Sequence, residues 1–261
     1  MFVLERITTQ ERFEEMFTFK FVPQTFICLL VIFLILIFAL VIAGQIKRMK
    51  VTDRPKGLAL LGILLFNMLD NLTLSIMSPK YRSFTKYLLV ICPFVFICFV
   101  IGLTGLPSPM TYLATPLTLG LFTFGLIHIT AMKENHWGYF KRYVEPIPVF
   151  LPINLISMWA PLLSLTFRLF GNAISGYCIM TLAYFGLETL SDVIFTGIAA
   201  AGAVGIQSIW VAPLITPFLH LYFDLFSAFI QTLVFTMLTL IYVCQEQSQE
   251  DENQVIEEVV S

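Results

Sequence analysis

Charged residues vanish from this chain over long intervals, and those intervals set its plan. Phe21 to Ile46 holds none and is rich in Ile, Leu, Val and Phe. At about 1.5 Å of rise per residue such a run crosses a bilayer core of about 30 Å. A first membrane span is therefore predicted at 23–46, preceded by an outer segment at 1–22. A basic run, KRMKVTDRPK, comes next. Residues 55–80 are apolar again, but Asn67, Asp70 and Asn71 interrupt them and Lys56 and Lys80 bracket them. That pattern predicts an amphipathic helix on the membrane face rather than a further crossing.

Tyr87 to Met132 has no Asp, Glu, Lys or Arg over 46 residues, and GLTGLPSP stands in its middle. Gly and Pro there mark a turn, so 84–132 reads as a hairpin of two spans. KENHWGYFKRYVE is a polar loop with interfacial Trp and Tyr. Beyond it, 146–244 divides into two apolar segments around Glu188 and Asp192. Each is about twice the length that a perpendicular span needs. Segments of that length must tilt, kink or run partly along the membrane, and Pro148, Pro152, Pro161, Pro213 and Pro217 supply breaks. The chain closes in an acidic tail at 245–261, with six acids and no base.

Composition agrees with this plan. Of 261 residues, 58% are hydrophobic and 12% charged, about half the charge of a soluble domain. The predicted fold is an all-α integral membrane protein with about five crossing helices and one surface helix, the last two crossings long and tilted. Eleven of the fifteen basic residues fall in 47–86 and 133–142. If those loops face the cytoplasm, the N-terminus lies outside and the acidic tail inside. The five cysteines are scattered through apolar segments without a CxxC. They read as small buried hydrophobes, with neither disulfide nor metal assigned.

Two charges stand apart. From Pro146 to Leu187 the only charged residue is Arg168, and from Val193 to Gln245 it is Asp224. An ionisable group inside a membrane costs from about 3 to more than 10 kcal/mol, and such groups usually mark ion pathways. Helical spacing places Asn172, Ser175 and Ile179 on the face of Arg168. It also aligns His220, Asp224, Ser227, Ala228 and Gln231 on one stripe. The bland alternative is an internal Arg168–Asp224 pair that only joins two helices. An arginine keeps its proton at any physiological pH. It attracts a carboxylate yet relays no proton itself, which suits a gate.

LSLTFRLFGNAISG resembles the signature of subunit a of the F-type ATP synthase, the membrane stator beside the rotating c-ring. FSAFIQTLVFTMLTLIYV resembles that family's last helix, and GLPSPMTYLATPLTLGL and PINLI also match its pattern. The resemblance covers about 84–244. It implies two long tilted helices against the c-ring, and two aqueous half-channels that lead ions to and from the ring carboxylates. Arg168 matches the essential arginine, Asn172 the Asn four residues after it, and Gln231 the glutamine of the last helix. Asp224 occupies the position of the outer proton relay. Tyr177 departs from the pattern, because many relatives carry Glu there. As a residue type tyrosine is a poor relay at neutral pH, although it orients water. Asn154, Glu188, Asp192 and His220 are weaker candidates.

The partners that the resemblance implies are the c-ring, the peripheral-stalk subunit b, membrane lipid and the translocated H+ or Na+. It implies no cofactor, no nucleic acid and no catalytic chemistry in the subunit itself. A stand-alone secondary transporter or ion channel is the competing reading, but no internal repeat supports it. HExxH and GxSxG are absent, which argues against an intramembrane hydrolase. The basic inner face and the lack of a transit peptide favour a bacterial plasma membrane over the mitochondrial inner membrane.

Overall fold

The computed structural model describes residues 23–48, 55–77, 79–135, 151–199 and 211–246. The predicted outer segment and almost all of the acidic tail lie outside these residues. No strand occurs among the described residues, and the fold is all-α. In order, the helices are α1 Pro23–Arg48, α2 Leu58–Ile76, α3 Phe84–Val100, α4 Ala114–Asn135, α5 Leu151–Ala199, α6 Val211–His220 and α7 Ser227–Cys244. A six-residue π-turn, Leu221–Phe226, joins α6 to α7. Counting α6 to α7 as one, six helices among the described residues are long and apolar enough to cross a membrane, α2 among them by length and composition.

Lipid is as apolar as leucine, so helices in a membrane are held by close fit and by polar contacts rather than by escape from water. Gly120 of α4 shows the fit. A Cβ there would meet Thr166 Oγ1 at 2.5 Å and Leu162 Cδ1 at 3.0 Å, both on α5. Phe124 of α4 stacks on Trp159 of α5 with ring centroids 5.2 Å apart. Polar contacts tie the rest. Gln45 of α1 accepts from the Ala59 N–H of α2 at 3.1 Å. Tyr87 of α3 meets Thr123 of α4 at 3.1 Å. Thr232 and Thr236 of α7 return their hydroxyls to carbonyls four residues earlier, which satisfies them without a neighbour.

Asp70 of α2 is buried, and the Arg82 guanidinium closes on it with bonds of 3.0 and 2.6 Å. Thr85, at the start of α3, donates to the same carboxylate at 3.1 Å. The neighbouring carboxylate makes Arg82 hold its proton more firmly than usual. This clamp fixes α2 to the first turn of α3.

The predicted hairpin is α3, a turn and α4. In the turn, Ser108 donates to Cys98 O at 2.7 Å and accepts from the Met110 N–H at 3.3 Å. Gly105 takes φ 78°, a left-handed geometry that glycine adopts without strain. The turn lies against the middle of α5 and the joint of α6 with α7, and that placement shapes the site. Helix α5 has 49 residues, about 74 Å at about 1.5 Å each. It carries Pro161 inside.

Candidate functional site

The site lies between the middle of α5, the hairpin turn and the joint of α6 with α7. A cavity of about 490 Å³ occupies it. Helix α5 contributes Asn172, Gly176, Tyr177 and Tyr184 to its wall, and the far side supplies His220, Asp224 and Ser227. The turn after α3 completes it. Gly102 sits so close to Asp224 that a Cβ there would lie 3.6 Å from the carboxylate carbon.

Polar groups form two clusters in this space. In the first, His220 Nδ1 hydrogen-bonds Asp224 Oδ2, and His220 Nε2 hydrogen-bonds the Tyr184 hydroxyl. In the second, Asn172 Nδ2 donates to Ser227 Oγ at 2.8 Å, and Ser227 returns its own proton to Asn172 Oδ1 at 3.1 Å. Asn172 Nδ2 also reaches Gln231 Oε1 at a long 3.5 Å. Gln231 is only 5% exposed, and its Nε2 has no hydrogen-bond partner among the described residues. An unmatched buried amide costs about 1–3 kcal/mol, so this donor stands open.

Arg168 sits one turn before Asn172 and is half-buried. Its neighbours Leu165 and Leu169 are buried, whereas Phe167 is exposed. Among the described residues the guanidinium has neither a hydrogen bond nor an ion pair. The internal Arg168–Asp224 pair is therefore absent: the carboxylate is engaged by His220 on its own helix.

The structure brings together most of the residues singled out by spacing or by the family resemblance. Asn172, Tyr177, His220, Asp224, Ser227 and Gln231 all lie in the cavity or against it. Ser175 does not. It is exposed on α5 and does not line the cavity. Glu188 is exposed as well. The side chains of Asn154 and Asp192 lie outside the described residues.

One departure is local. Aligning His220, Asp224, Ser227 and Gln231 on one stripe takes the regular helical period across these residues, yet the Ser227 N–H reaches back to Tyr222 O across a wide turn. Such π-turns occur mostly as single-turn insertions inside α-helices, frequently at functional sites, and Asp224 lies in this one. Two participants escaped the sequence reading. Tyr184 stands seven residues after Tyr177, a spacing that shares a face and gave a usable signal. Gly102 gave none, because only tertiary packing brings it to Asp224.

The protein family described as ATP synthase A chain matches residues 25–244. The chain belongs to the ATP synthase A chain family. Among relatives, ATP synthase subunit a of Mycoplasma genitalium is 30% identical over 236 residues, covering 86% of this chain and 79% of its own length. That of Mycoplasmoides gallisepticum is 28% identical over 225 residues, with coverages of 83% and 75%. A relative from Propionigenium modestum, named as sodium ion specific, is 33% identical over 141 residues, 53% of this chain and 40% of its own. The family is a non-catalytic membrane subunit of the ATP synthase complex, engaged in ion transport coupled to ATP synthesis. With six apolar helices and bacterial relatives, this member is a multi-pass plasma-membrane protein.

Proposed function

We infer that this chain is the stator through which protons or sodium ions reach and leave carboxylates on a c-ring, with Arg168 as the gate. The observation that carries the reading is the unmatched guanidinium. A permanent cation in the middle of a long apolar helix is expensive, and the nearby anion, Asp224, is engaged elsewhere. Among the described residues nothing takes up this charge, and we assign it to a group outside this chain. A carboxylate on a moving partner fits, since it can be attracted when stripped of its ion and released once neutralised.

The cavity at Asp224 supports an aqueous half-channel on one side of that gate. His220, Tyr177, Asn172 and Ser227 share its wall, Gln231 reaches Asn172, and the arginine stands one turn before Asn172. Ser175, exposed on α5, is assigned to the surface that meets the ring. A second half-channel on the other side releases the ion. Because arginine does not give up its proton, ions cannot run directly from one channel to the other and must travel with the ring. The peripheral-stalk subunit b holds the stator still. The basic residues at 47–86 and 133–142 support a cytoplasmic position for those segments. With α2 as a surface helix and five crossings, the N-terminus is outside and the C-terminus in the cytoplasm.

The test is Arg168→Ala in the whole complex. ATP-driven ion pumping in inverted membrane vesicles should fall to the level of vesicles without the complex, while subunit content stays normal. Retained pumping would remove the gate.

A further inference from the structure

The His220 ring is held from both sides. Its Nδ1 meets the Asp224 carboxylate, and its Nε2 meets the Tyr184 hydroxyl from the opposite wall of the cavity. Tyr184 is exposed, whereas the His220 and Asp224 side chains are partly buried, at 26% and 19% exposed. The row thus runs from open space inward. We propose that Tyr184 is a positioning residue of the ion path, fixing the tautomer of His220 and through it the charge of Asp224. This rests on reading Asp224 as the relay.

The chemistry follows from the two ring nitrogens. A neutral imidazole carries one N–H and one lone pair. When the Tyr184 O–H donates to Nε2, the remaining N–H sits on Nδ1 and points at Asp224. A carboxylate receives that donor well and stays ionised, ready to take up a proton. In the other tautomer a lone pair on Nδ1 would face the carboxylate. Only a protonated Asp224 could then bond to it, and a protonated relay cannot load. The phenol therefore selects the loading-competent state. The other titratable group on the cavity wall is Tyr177, on the same helix as Tyr184. The hairpin turn brings only Thr104, Ser108 and Thr111 among hydroxyl side chains. Glu188, one turn past Tyr184, is exposed and does not line the cavity.

The experiment compares ATP-driven acidification of inverted vesicles carrying the whole complex at matched subunit content. The variants are Tyr184→Phe, His220→Ala, the double variant and Asp224→Asn. Tyr184→Phe keeps the ring and removes the donor. It should slow pumping about five-fold, the scale of one hydrogen bond, and move the pH dependence to the alkaline side because protonated Asp224 gains a partner. In the His220→Ala background it should change neither rate nor pH dependence. Wild-type pumping by Tyr184→Phe, or a loss that multiplies onto that of His220→Ala, would overturn the proposal. Should Asp224→Asn itself pump normally, the relay reading falls, and the proposal with it. If Asp224→Asn is slow while Tyr184→Phe is not, only the role of Tyr184 falls.

Discussion

Asp224 bonds His220, one turn back along its own helical run, and not Arg168 across the helix interface. The two lone charges of the last apolar segments thus have different occupations. The anion belongs to a cluster inside the chain, and the cation is left available. Two opposite charges that neutralised each other would have made a joint and nothing more.

Asp224→Asn keeps the size of the side chain and removes its charge. Ion translocation should slow on the order of 10-fold, less than the ~100-fold or more that a positioned acid–base group contributes to chemistry, because cavity water provides a partial bypass. Rates of proton flux in vesicles check this, and a rate equal to wild type would leave Asp224 as packing.

Gly120→Leu should separate α4 from α5. The first added carbon already meets Thr166 Oγ1 and Leu162, both of them buried. Overpacking of this kind costs about 1–3 kcal/mol or more. A lower thermal midpoint of the detergent-solubilised complex is expected, while Gly125→Ala, where nothing stands within 4 Å, should leave it unchanged.

The clamp of Asp70, Arg82 and Thr85 predicts an order of effects. Arg82→Ala leaves a buried carboxylate that still keeps Thr85. Asp70→Ala removes the acceptor of both, but its exposed arginine returns to water. Leaving a buried charge unpaired is the worse fault, so the thermal midpoint should drop further for Arg82→Ala than for Asp70→Ala. Equal midpoints would show that the clamp does not hold α2.

Topology gives a parity test. Five crossings put the two ends on opposite sides of the membrane, and a crossing α2 would put them on the same side. A small tag at each end should be reached by protease from outside only at the N-terminus, and in inverted vesicles only at the C-terminus. Both tags reached from one side would make α2 a sixth crossing.

Much of this was legible in the sequence because charge is so scarce in it. The intervals without Asp, Glu, Lys or Arg delimit the apolar helices, and a single Arg168 or Asp224 in such an interval is conspicuous. Asn172 and Gln231 follow from helical spacing, and they do meet. What spacing could not supply was contact between elements distant in the chain. The bond of Tyr184 to His220 joins residues 36 apart, and the approach of Gly102 to Asp224 spans more than a hundred positions. Ser175 shares a face with Arg168 and Asn172 by spacing, but only Asn172 of the two reaches the cavity wall, because spacing does not say how far along a face a neighbouring element extends.

The wide turn at Leu221–Phe226 makes residue counting part of how the chain aims its side chains. Removing one residue there would let the helix close up to its normal pitch and swing everything before it through about 100°. His220 would be carried away from Tyr184, while Gln231 kept its place. A lost residue at this joint, with every named side chain still present, would be as damaging as losing the imidazole outright.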